Sequence, residues 1–303
     1  MVAILYLSKS MIGGWATFTA HLSLTTGWKI YKISKREERC ERPFGYNCSY
    51  RNLSALPAEQ IIVAALSKHY VDVLKTLPDG TTIVIHDPTE LKPSVWVEIQ
   101  RLRVVVIRES MLRHIPNAMF LHHPFFYFLP HGWFQFEIPE ERPRHPVSIS
   151  RIDWDKNTNL IVEANEKGAG IEIYGFVNRL YLHHANINLG DTYRGKFEKS
   201  FSAIGKILAG ASHVVDLSTI CRDGGGSQYT FLEAIRFQIP LILHRKWVSH
   251  PNSIFKDGVN CRAVETADEL VEALKMPPLL ASELLEPHLL VNWRALFSVS
   301  PSS

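Results

Sequence analysis

Short apolar, β-rich runs alternate with helical patterns through most of this chain, and the alternation starts twice. That order restricts the fold more than any other feature of the sequence. Val2–Leu7 is the first such run, and Gly13-Gly14 then opens a segment with Trp15, Phe18 and Ala20-His21-Leu22 at helical spacing. Lys29–Ile33, Thr82–Ile85 and Val104–Ile107 read as further strands. Ala58–Leu74 carries helical periodicity through Ile61, Ile62, Ala65, Leu66, Tyr70, Val73 and Leu74, and stops at Pro78-Asp79-Gly80. The stretch Glu137–His145 (EIPEERPRH) is charged and Pro-rich and suits neither element, so it reads as an interdomain linker. Beyond it come Val147–Ser150, Ile171–Tyr174, His213–Leu217 and Pro240–Leu243 as strands, with helices over Thr158–Glu166, Phe197–Leu208, Tyr229–Phe237 and Ala267–Leu274. Strand, helix, strand at these spacings predicts a parallel sheet covered by helices, formed twice. The expected parts are an N-terminal α/β domain over 1–138 and a second over 146–276. A Leu-rich helical segment over 277–303, with Trp293 and Phe297, is expected to pack back on the first domain.

Composition agrees with folded α/β domains. Of 303 residues, 46% are hydrophobic and 21% charged, which excludes collagen, coiled coil and disordered polymer. Lys and Arg number 33 against 30 Asp and Glu, a net of +3, which permits a polyanionic partner without requiring one. The longest uncharged apolar run, Met1–Leu7, is far short of the roughly 20 residues a bilayer helix needs. No secretory signal is read in the N-terminal segment. The four cysteines, Cys40, Cys48, Cys221 and Cys261, form no CxxC pair and read as reduced thiols of a cytoplasmic protein, or of the host cytoplasm if the source is viral. Lys35–Asn52 is basic and aromatic and has no assignable regular structure.

Two parallel sheets joined by one linker are expected to leave a cleft, with ligands at the carboxyl ends of strands. The candidate residues therefore follow strands. The strongest set is Asp223-Gly224-Gly225-Gly226-Ser227-Gln228-Tyr229-Thr230, running into a helix that holds Glu233. Three glycines between a strand and a helix let backbone N–H groups approach a phosphate, and the helix N-terminus adds positive potential. Glu233 is placed to accept hydrogen bonds from a ribose diol. No Lys follows the glycines, so this is not a Walker loop, and a tight turn would explain the glycines without a ligand. Ser150-Arg151 to Lys156 follows the first strand of the second domain, where Arg151 and Lys156 suit a diphosphate; a solvated Arg–Asp pair is the bland alternative. His86-Asp87-Pro88 follows Thr82–Ile85, where an imidazole suits a sugar hydroxyl or a proton transfer. Gly13-Gly14 allows a ligand close to backbone but is not a dinucleotide fingerprint. The pairs His122-His123 and His183-His184 lack ligand spacing and read as non-metal. Phe125–Phe128 with Trp133 and Phe134 reads as core or cleft wall, with an acceptor-stacking platform as the alternative.

Taken in order, these segments resemble the retaining nucleotide-sugar glycosyltransferases of the GT-B fold, the large family-4-like group. SRIDWDKNTNLIVEA (Ser150–Ala164) is similar to that family's Gly/Ser-Arg-x-x-x-x-Lys-Gly segment, and Gly175 to its strand-end glycine. Ser218–Leu243 resembles the Ser-x-x-Glu-Gly-Phe-Gly … Leu-Glu-Ala … Gly-x-Pro-Val-Ile signature, and Asp257-Gly258-Val259-Asn260 the Asp-Gly-x-Asn-Gly that follows. Gly13-Gly14 with His21, His86-Asp87-Pro88 and Leu129-Pro130-His131-Gly132 resemble the family's motifs in the first half. The resemblance implies two Rossmann-like domains facing across a cleft. Arg151 and Lys156 would hold the donor diphosphate, together with the loop Gly225, Gly226, Ser227, Gln228, Tyr229 and Thr230. Glu233 would bind the ribose, Gly13 and Gly14 would lie beside phosphates and acceptor, and His86 and Asp223 would be the catalytic-side contacts to the sugar. The family's first Glu lies eight residues before its second, and Gly225 stands there; Asp223 is the nearest carboxylate.

The implied activity is transfer of a hexosyl or pentosyl group from a UDP- or GDP-sugar to an acceptor hydroxyl with retention, with no cofactor and no required metal. The acceptor is open among glycan, lipid and protein hydroxyls, and peripheral membrane contact stays open with it. A second acceptor class is a hydroxymethylated base in DNA, as in phage-type DNA modification. Lys35, Arg36, Arg39, Arg42 and Arg51 with Phe44, Tyr46 and Tyr50 suit phosphates and a displaced base, although Glu37, Glu38 and Glu41 are interspersed. A non-catalytic nucleotide-sugar-binding protein is the alternative of another class, favoured by Gly225. An epimerase reading is weaker, because no water-activating carboxylate pair is placed. Oligomeric state is not read from the sequence.

Overall fold

The computed structural model describes residues 1–8, 14–32, 48–50, 53, 56, 59–126, 144–197, 201–219, 228–249 and 253–297. The chain divides into two units, Met1–Tyr127 with Glu286–Ser303, and Phe128–Leu285. These bounds differ from the 138 and 276 set by composition: the second unit runs nine residues further before the chain returns to the first, so Pro277–Leu285 belongs to the second unit.

The first unit is built on a seven-stranded, wholly parallel sheet. Its strands are β1 (Val2–Leu7), β2 (Lys29–Lys32), β3 (Cys48–Tyr50), β4 (Gln60–Leu66), β5 (Thr82–Ile85), β6 (Arg103–Val106) and β7 (Met119–Phe120). They lie in the order β3-β2-β1-β4-β5-β6-β7. The chain thus leaves the middle in one direction, returns, and leaves in the other, so the strand order reverses between β1 and β4. That is the doubly wound Rossmann order, with its ligand position at the reversal.

One sequence expectation fails here. Gln60–Leu66 is not the start of a helix but strand β4, paired with β1 through Ile4↔Ile62 and Leu5↔Val63 and with β5 through Ile62↔Thr82. The cause is its central place in the sheet. From Ile61 to Leu66 every side chain is buried, because helices cover both faces of a parallel sheet, so the run has no period of two to mark it as a strand. Its apolar residues then match a helical spacing by chance. The helical turns follow only afterwards, at Lys68–Tyr70 and Val71–Leu74 (α2). The basic stretch without assigned structure also supplies a strand, β3; its remaining residues lie outside the described ones, as does the linker up to Pro143. His145, the last residue of that linker reading, already opens the next strand.

Helix α1 (Gly14–Thr26) crosses from β1 to β2 and is nearly enclosed, with Ala16 through Leu22 buried. Thr19, Thr25 and Thr26 turn their hydroxyls back to carbonyls four residues earlier, which satisfies polar groups that the core would otherwise strand. Gly27, at φ +75°, ends the helix and donates to the Ser23 carbonyl at 2.7 Å. Helix α3 (Pro93–Ile99) lies between β5 and β6. The returning C-terminal segment, described to Phe297, is held by buried contacts. Trp293 packs its ring 5.5 Å from Phe18 and donates its indole N–H to the His122 carbonyl, while Arg294 donates to the Thr26 carbonyl.

The second unit repeats the plan with six parallel strands: β8 (His145–Ile149), β9 (Glu172–Tyr174), β10 (Tyr193–Gly195), β11 (Ala211–Asp216), β12 (Leu241–His244) and β13 (Arg262–Val264). Their order is β10-β9-β8-β11-β12-β13, reversing between β8 and β11. Around them lie α4 (Thr158–Glu166), α5 (Arg179–His184), α6 (Phe201–Ala209), α7 (Tyr229–Arg236), α8 (Arg245–Val248) and α9 (Ala267–Lys275). Ile152, Ile161, Ile173, Val215, Ile242 and Leu270 form one continuous buried cluster under α4 and α9. A last short helix, α10 (Glu286–Leu290), belongs to the first unit.

Candidate functional site

In the second unit, the loop between β8 and α4 carries Arg151 and Lys156 at the strand reversal. Its shape is fixed from several sides. Asn157 sits in the left-handed region at φ +47° and donates its amide to the Leu217 carbonyl at 2.8 Å. The Thr219 N–H donates to the Asp155 carbonyl at 2.7 Å. These two bonds join the β8–α4 loop to the segment leaving β11, which leads to the glycine-rich loop. Arg151 is 54% exposed and ion-paired to Asp153 at 3.0 Å and Asp155 at 3.3 Å, whereas Lys156 is only 12% exposed and lies 3.7 Å from Asp155. The Arg–Asp pair is therefore present. Burial alone would raise the Asp153 carboxyl, but hydrogen bonds from Asn178 and the Trp154 N–H, with the Arg151 and Lys156 charges, hold it below its ordinary range.

Asp223, Gly225, Gly226 and Ser227 lie outside the described residues, as does Gly13. Gln228 is the extended residue before α7, and Tyr229, Thr230 and Glu233 are on that helix, where Tyr229 and Glu233 are buried. Beyond the loop the scaffold is tightly bonded. The Ser218 hydroxyl donates to Asp216, and Trp247 donates its indole N–H to the Ser218 carbonyl at 2.7 Å. Gly175, after β9, has φ +151°, and an added Cβ would stand 2.8 Å from the Ser150 carbonyl carbon and closer still to its oxygen. Only glycine lets β9 end against the backbone that carries Arg151.

In the first unit, Gly14 opens α1 after β1, and His86 follows β5. His86 is 7% exposed. Its Nε2 lies 2.8 Å from the Ala64 carbonyl, and Phe18 meets its ring edge at 4.7 Å. A carbonyl only accepts, so Nε2 carries the hydrogen and Nδ1 is the accepting nitrogen of the neutral ring. Burial pulls the imidazole down to about 4 against the Ala64 bond and the Asp87 charge, which raise it, while Arg108 adds to the fall. His86 is thus a neutral hydrogen-bonding group at ordinary pH. His21 is also buried, stacked at 5.0 Å on Phe125, and lowered by burial to about 3; it accepts from the Phe126 N–H.

Two residues here, Glu90 and Arg108, escaped the reading of the sequence. Glu90 is 8% exposed and accepts from the indole N–H of Trp15 at 2.8 Å and from the backbone N–H of His86 at 3.1 Å. Burial pushes its carboxyl up to about 8, the Asp87 charge adds to this, and the hydrogen bonds and Arg108 oppose it. Arg108 is the second residue past the end of β6, as Asp87 is past the end of β5, and that place after a strand was the available signal. Among the described residues no group of three or more His, Cys, Asp or Glu is arranged to hold a metal ion, and no helix is long and apolar enough to cross a membrane.

No protein-family model matches the sequence, and no curated protein matches it. Solved structures do. The chain is similar to an alpha-glucosyltransferase in complex with UDP and a 13-mer DNA containing a central A:G mismatch, with a TM-score of 0.67 and 10% identity over 90% of this chain and 89% of that one. It is similar to an alpha-glucosyltransferase in complex with UDP-glucose and DNA containing an abasic site, with a TM-score of 0.65 and 11% identity over 98% and 92%. It is also similar to Alr3699/HepE of Anabaena in complex with UDP and glucose, with a TM-score of 0.60 and 12% identity over 90% and 88%. At such identities the likeness is one of fold: two Rossmann-like units, each reversing its strand order at the centre, are the architecture of the GT-B glycosyltransferases, and this chain has it.

Proposed function

We propose that this protein moves a sugar from a nucleoside-diphosphate sugar to an acceptor hydroxyl with retention of configuration. The observation that carries the reading is the coincidence of fold and position. In a chain with the GT-B architecture, Arg151 and Lys156 follow the central strand β8 and Glu233 lies on the helix beyond the glycine-rich loop. UDP or UDP-glucose is bound in each of the neighbours named above, which supports a UDP-sugar as donor.

In this reading Arg151 and Lys156 neutralise the diphosphate, with Ser227 and the N-terminus of α7 adding donors, and Glu233 accepts from the ribose hydroxyls. The Nδ1 of neutral His86 accepts from a donor-sugar hydroxyl. Asp223 takes the place of the carboxylate missing at Gly225. The acceptor oxygen bonds to the anomeric carbon as the bond from that carbon to the diphosphate oxygen breaks, on the same face. The electron pair leaves with the diphosphate, and the acceptor's proton passes to a diphosphate oxygen. Lys156 contributes most where charge develops, because its near-buried ammonium acts in a poorly screened site.

A second acceptor reading has its own support. Two of the neighbours are alpha-glucosyltransferases solved with DNA, which favours a hydroxymethylated DNA base over a glycan, lipid or protein hydroxyl. This is intracellular chemistry and fits a cytoplasmic protein.

A thermal-shift screen against UDP, GDP, ADP and their sugars tests the donor. A ligand at a hundred times its Kd stabilises by about 2.7 kcal/mol, so one nucleoside diphosphate raises the midpoint by several degrees. No shift with any of them overturns the reading. Transfer from the selected donor to hydroxymethylated DNA, with retention of DNA falling steeply as salt rises, tests the acceptor. A donor that binds and is never turned over, even by water, makes the protein a binder rather than an enzyme.

A further inference from the structure

Glu90 has no part in the transfer chemistry above, yet it is a buried carboxyl joining two elements of the first unit, one opened by Gly14 and the other followed by His86. Its Oε1 accepts from Trp15 Nε1 at 2.8 Å, and Trp15 is in the first turn of α1, directly after Gly14. Its Oε2 accepts from the His86 backbone N–H at 3.1 Å, at the end of β5. The two donors are 71 residues apart in sequence, and both bind this one carboxyl. The short turn Pro88–Glu90 that carries it is itself pinned. Asp87 caps the turn by accepting from the Thr89 N–H at 2.8 Å, and the Glu90 N–H donates to the Asp87 carbonyl at 3.2 Å. The charged and titratable groups facing Glu90 are Asp87, Arg108 and His86.

We propose that Glu90 is a positioning residue: its carboxyl clamps the His86 loop to the first turn of α1, so that the His86 imidazole stands in one preset place relative to the start of that helix. The role in catalysis rests on the reading that His86 meets the donor sugar; the clamp itself does not. A side chain built only to fill space would be replaceable by an apolar residue of its size. Glu90 instead presents an oxygen to each of two fixed donors, and its hydroxyl oxygen still has lone pairs to accept with when the carboxyl is protonated. The amide of Glu90→Gln offers one oxygen and turns an N–H toward the other donor.

The clamp is tested directly by NMR of protein carrying ¹⁵N-tryptophan, with the Trp15 indole signal assigned by its loss in Trp15→Phe. In the wild-type chain that N–H resonance moves with a midpoint near pH 8, as Glu90 ionises. In Glu90→Gln it does not titrate. A wild-type indole signal that does not titrate from pH 6 to 9.5 and also keeps its position in Glu90→Gln overturns the clamp, whatever the protein's activity. The catalytic consequence is read from turnover of UDP-glucose, by transfer or by hydrolysis. Glu90→Gln and Trp15→Phe lower kcat by roughly 10- to 100-fold, the scale of a misplacement of about 1 Å, while KM for the donor stays within about threefold. Wild-type kcat in both variants overturns the catalytic role. If the wild-type chain turns over no donor sugar at all, the transfer reading falls, and with it the catalytic role, while the indole titration still decides the clamp.

Discussion

Gly175→Ala is the substitution whose effect the fold dictates most sharply. Gly175 holds φ at +151°, and an alanine Cβ there would lie 2.8 Å from the Ser150 carbonyl carbon, with the carbonyl oxygen nearer still. Both partners are main chain. Ser150 is fixed by its own N–H to the Tyr174 carbonyl at 3.2 Å, and Gly175 by its N–H to the Gly195 carbonyl at 3.0 Å. Neither can move without breaking the β8–β9–β10 edge. Two costs then add: about 1–3 kcal/mol for an L-residue held at this φ and about 1–3 kcal/mol for an added methyl with no space. Their sum is about 4 kcal/mol. For a unit of this size each kcal/mol lowers the midpoint by about 2–4 °C, so Gly175→Ala lowers the unfolding transition of the second unit by roughly 8–16 °C. Two controls separate the contributions. Gly168→Ala also sits at positive φ (+90°) but its Cβ meets nothing within 4 Å, so it bears the conformational cost alone. Gly210→Ala has no positive φ, and its Cβ lies 3.8 Å from the Ile207 carbonyl, ordinary contact, so it is neutral or slightly stabilising. Thermal unfolding followed by circular dichroism orders the three. A Gly175→Ala chain that melts no lower than Gly168→Ala would mean that β9 does not end against Ser150, and the placing of Arg151 would fall with it.

Three further outcomes follow from the same geometry. Lys156→Ala lowers turnover of the donor by at least about a hundredfold while the melting temperature changes little, since the ammonium's partner Asp155 is already held by Arg151; an unchanged rate sinks the assignment. Asn157→Ala loses the bond to the Leu217 carbonyl and strains the left-handed position, together about 2 kcal/mol, and Asn157→Gly loses only the bond; equal urea midpoints for the two would remove the backbone argument. Stability of the first unit peaks near pH 6.5. His21, His86 and His288 are lowered by burial to about 3, 4 and 4, so each is neutral in the fold and charged when unfolded as pH drops below 6.5. Their stabilisation is present above 6.5 and is lost toward pH 4, by about 3 kcal/mol for a full shift of this size. Glu90, raised to about 8 by burial, has the opposite sign: it favours the fold below 4.5, and that contribution disappears as pH climbs to 8. Denaturant midpoints from pH 4 to 9 test both limbs, and the alkaline fall is absent in Glu90→Gln.

How far the site could be read from the sequence depended on whether a residue's role is local. Arg151, Lys156 and His86 were found because each directly follows a strand, and strand ends are marked by the end of an apolar run. Gly175 was found for the same reason, though its need for glycine comes from Ser150, 25 residues earlier and on the neighbouring strand. Glu90 was not found, because in HDPTE it looks like a surface carboxylate closing a turn. What buries it is α1, and its partner Trp15 is 75 residues away. The Trp15 contact has no footprint in local spacing.

The strand that was misread is the one on which the first unit's candidate residues depend. β4 lies between β1 and β5 and pairs with both. It therefore sets the start of α1 and the His86 loop two strand spacings apart, near 10 Å. Across that separation the Glu90 carboxyl bonds both sides, beside the Phe18 ring that packs on His86 at 4.7 Å, and Ala64 of β4 is the residue whose carbonyl orients the His86 ring at 2.8 Å. Had Gln60–Leu66 been a helix, β1 and β5 would be neighbours or in separate layers. In neither case would the Ala64 carbonyl lie beneath His86. The burial that erased β4's alternation in the sequence is thus the same burial that leaves His86 neutral and Glu90 hard to ionise: a strand covered on both faces gives no periodic signal and supplies a water-poor floor to the groups at its carboxyl end.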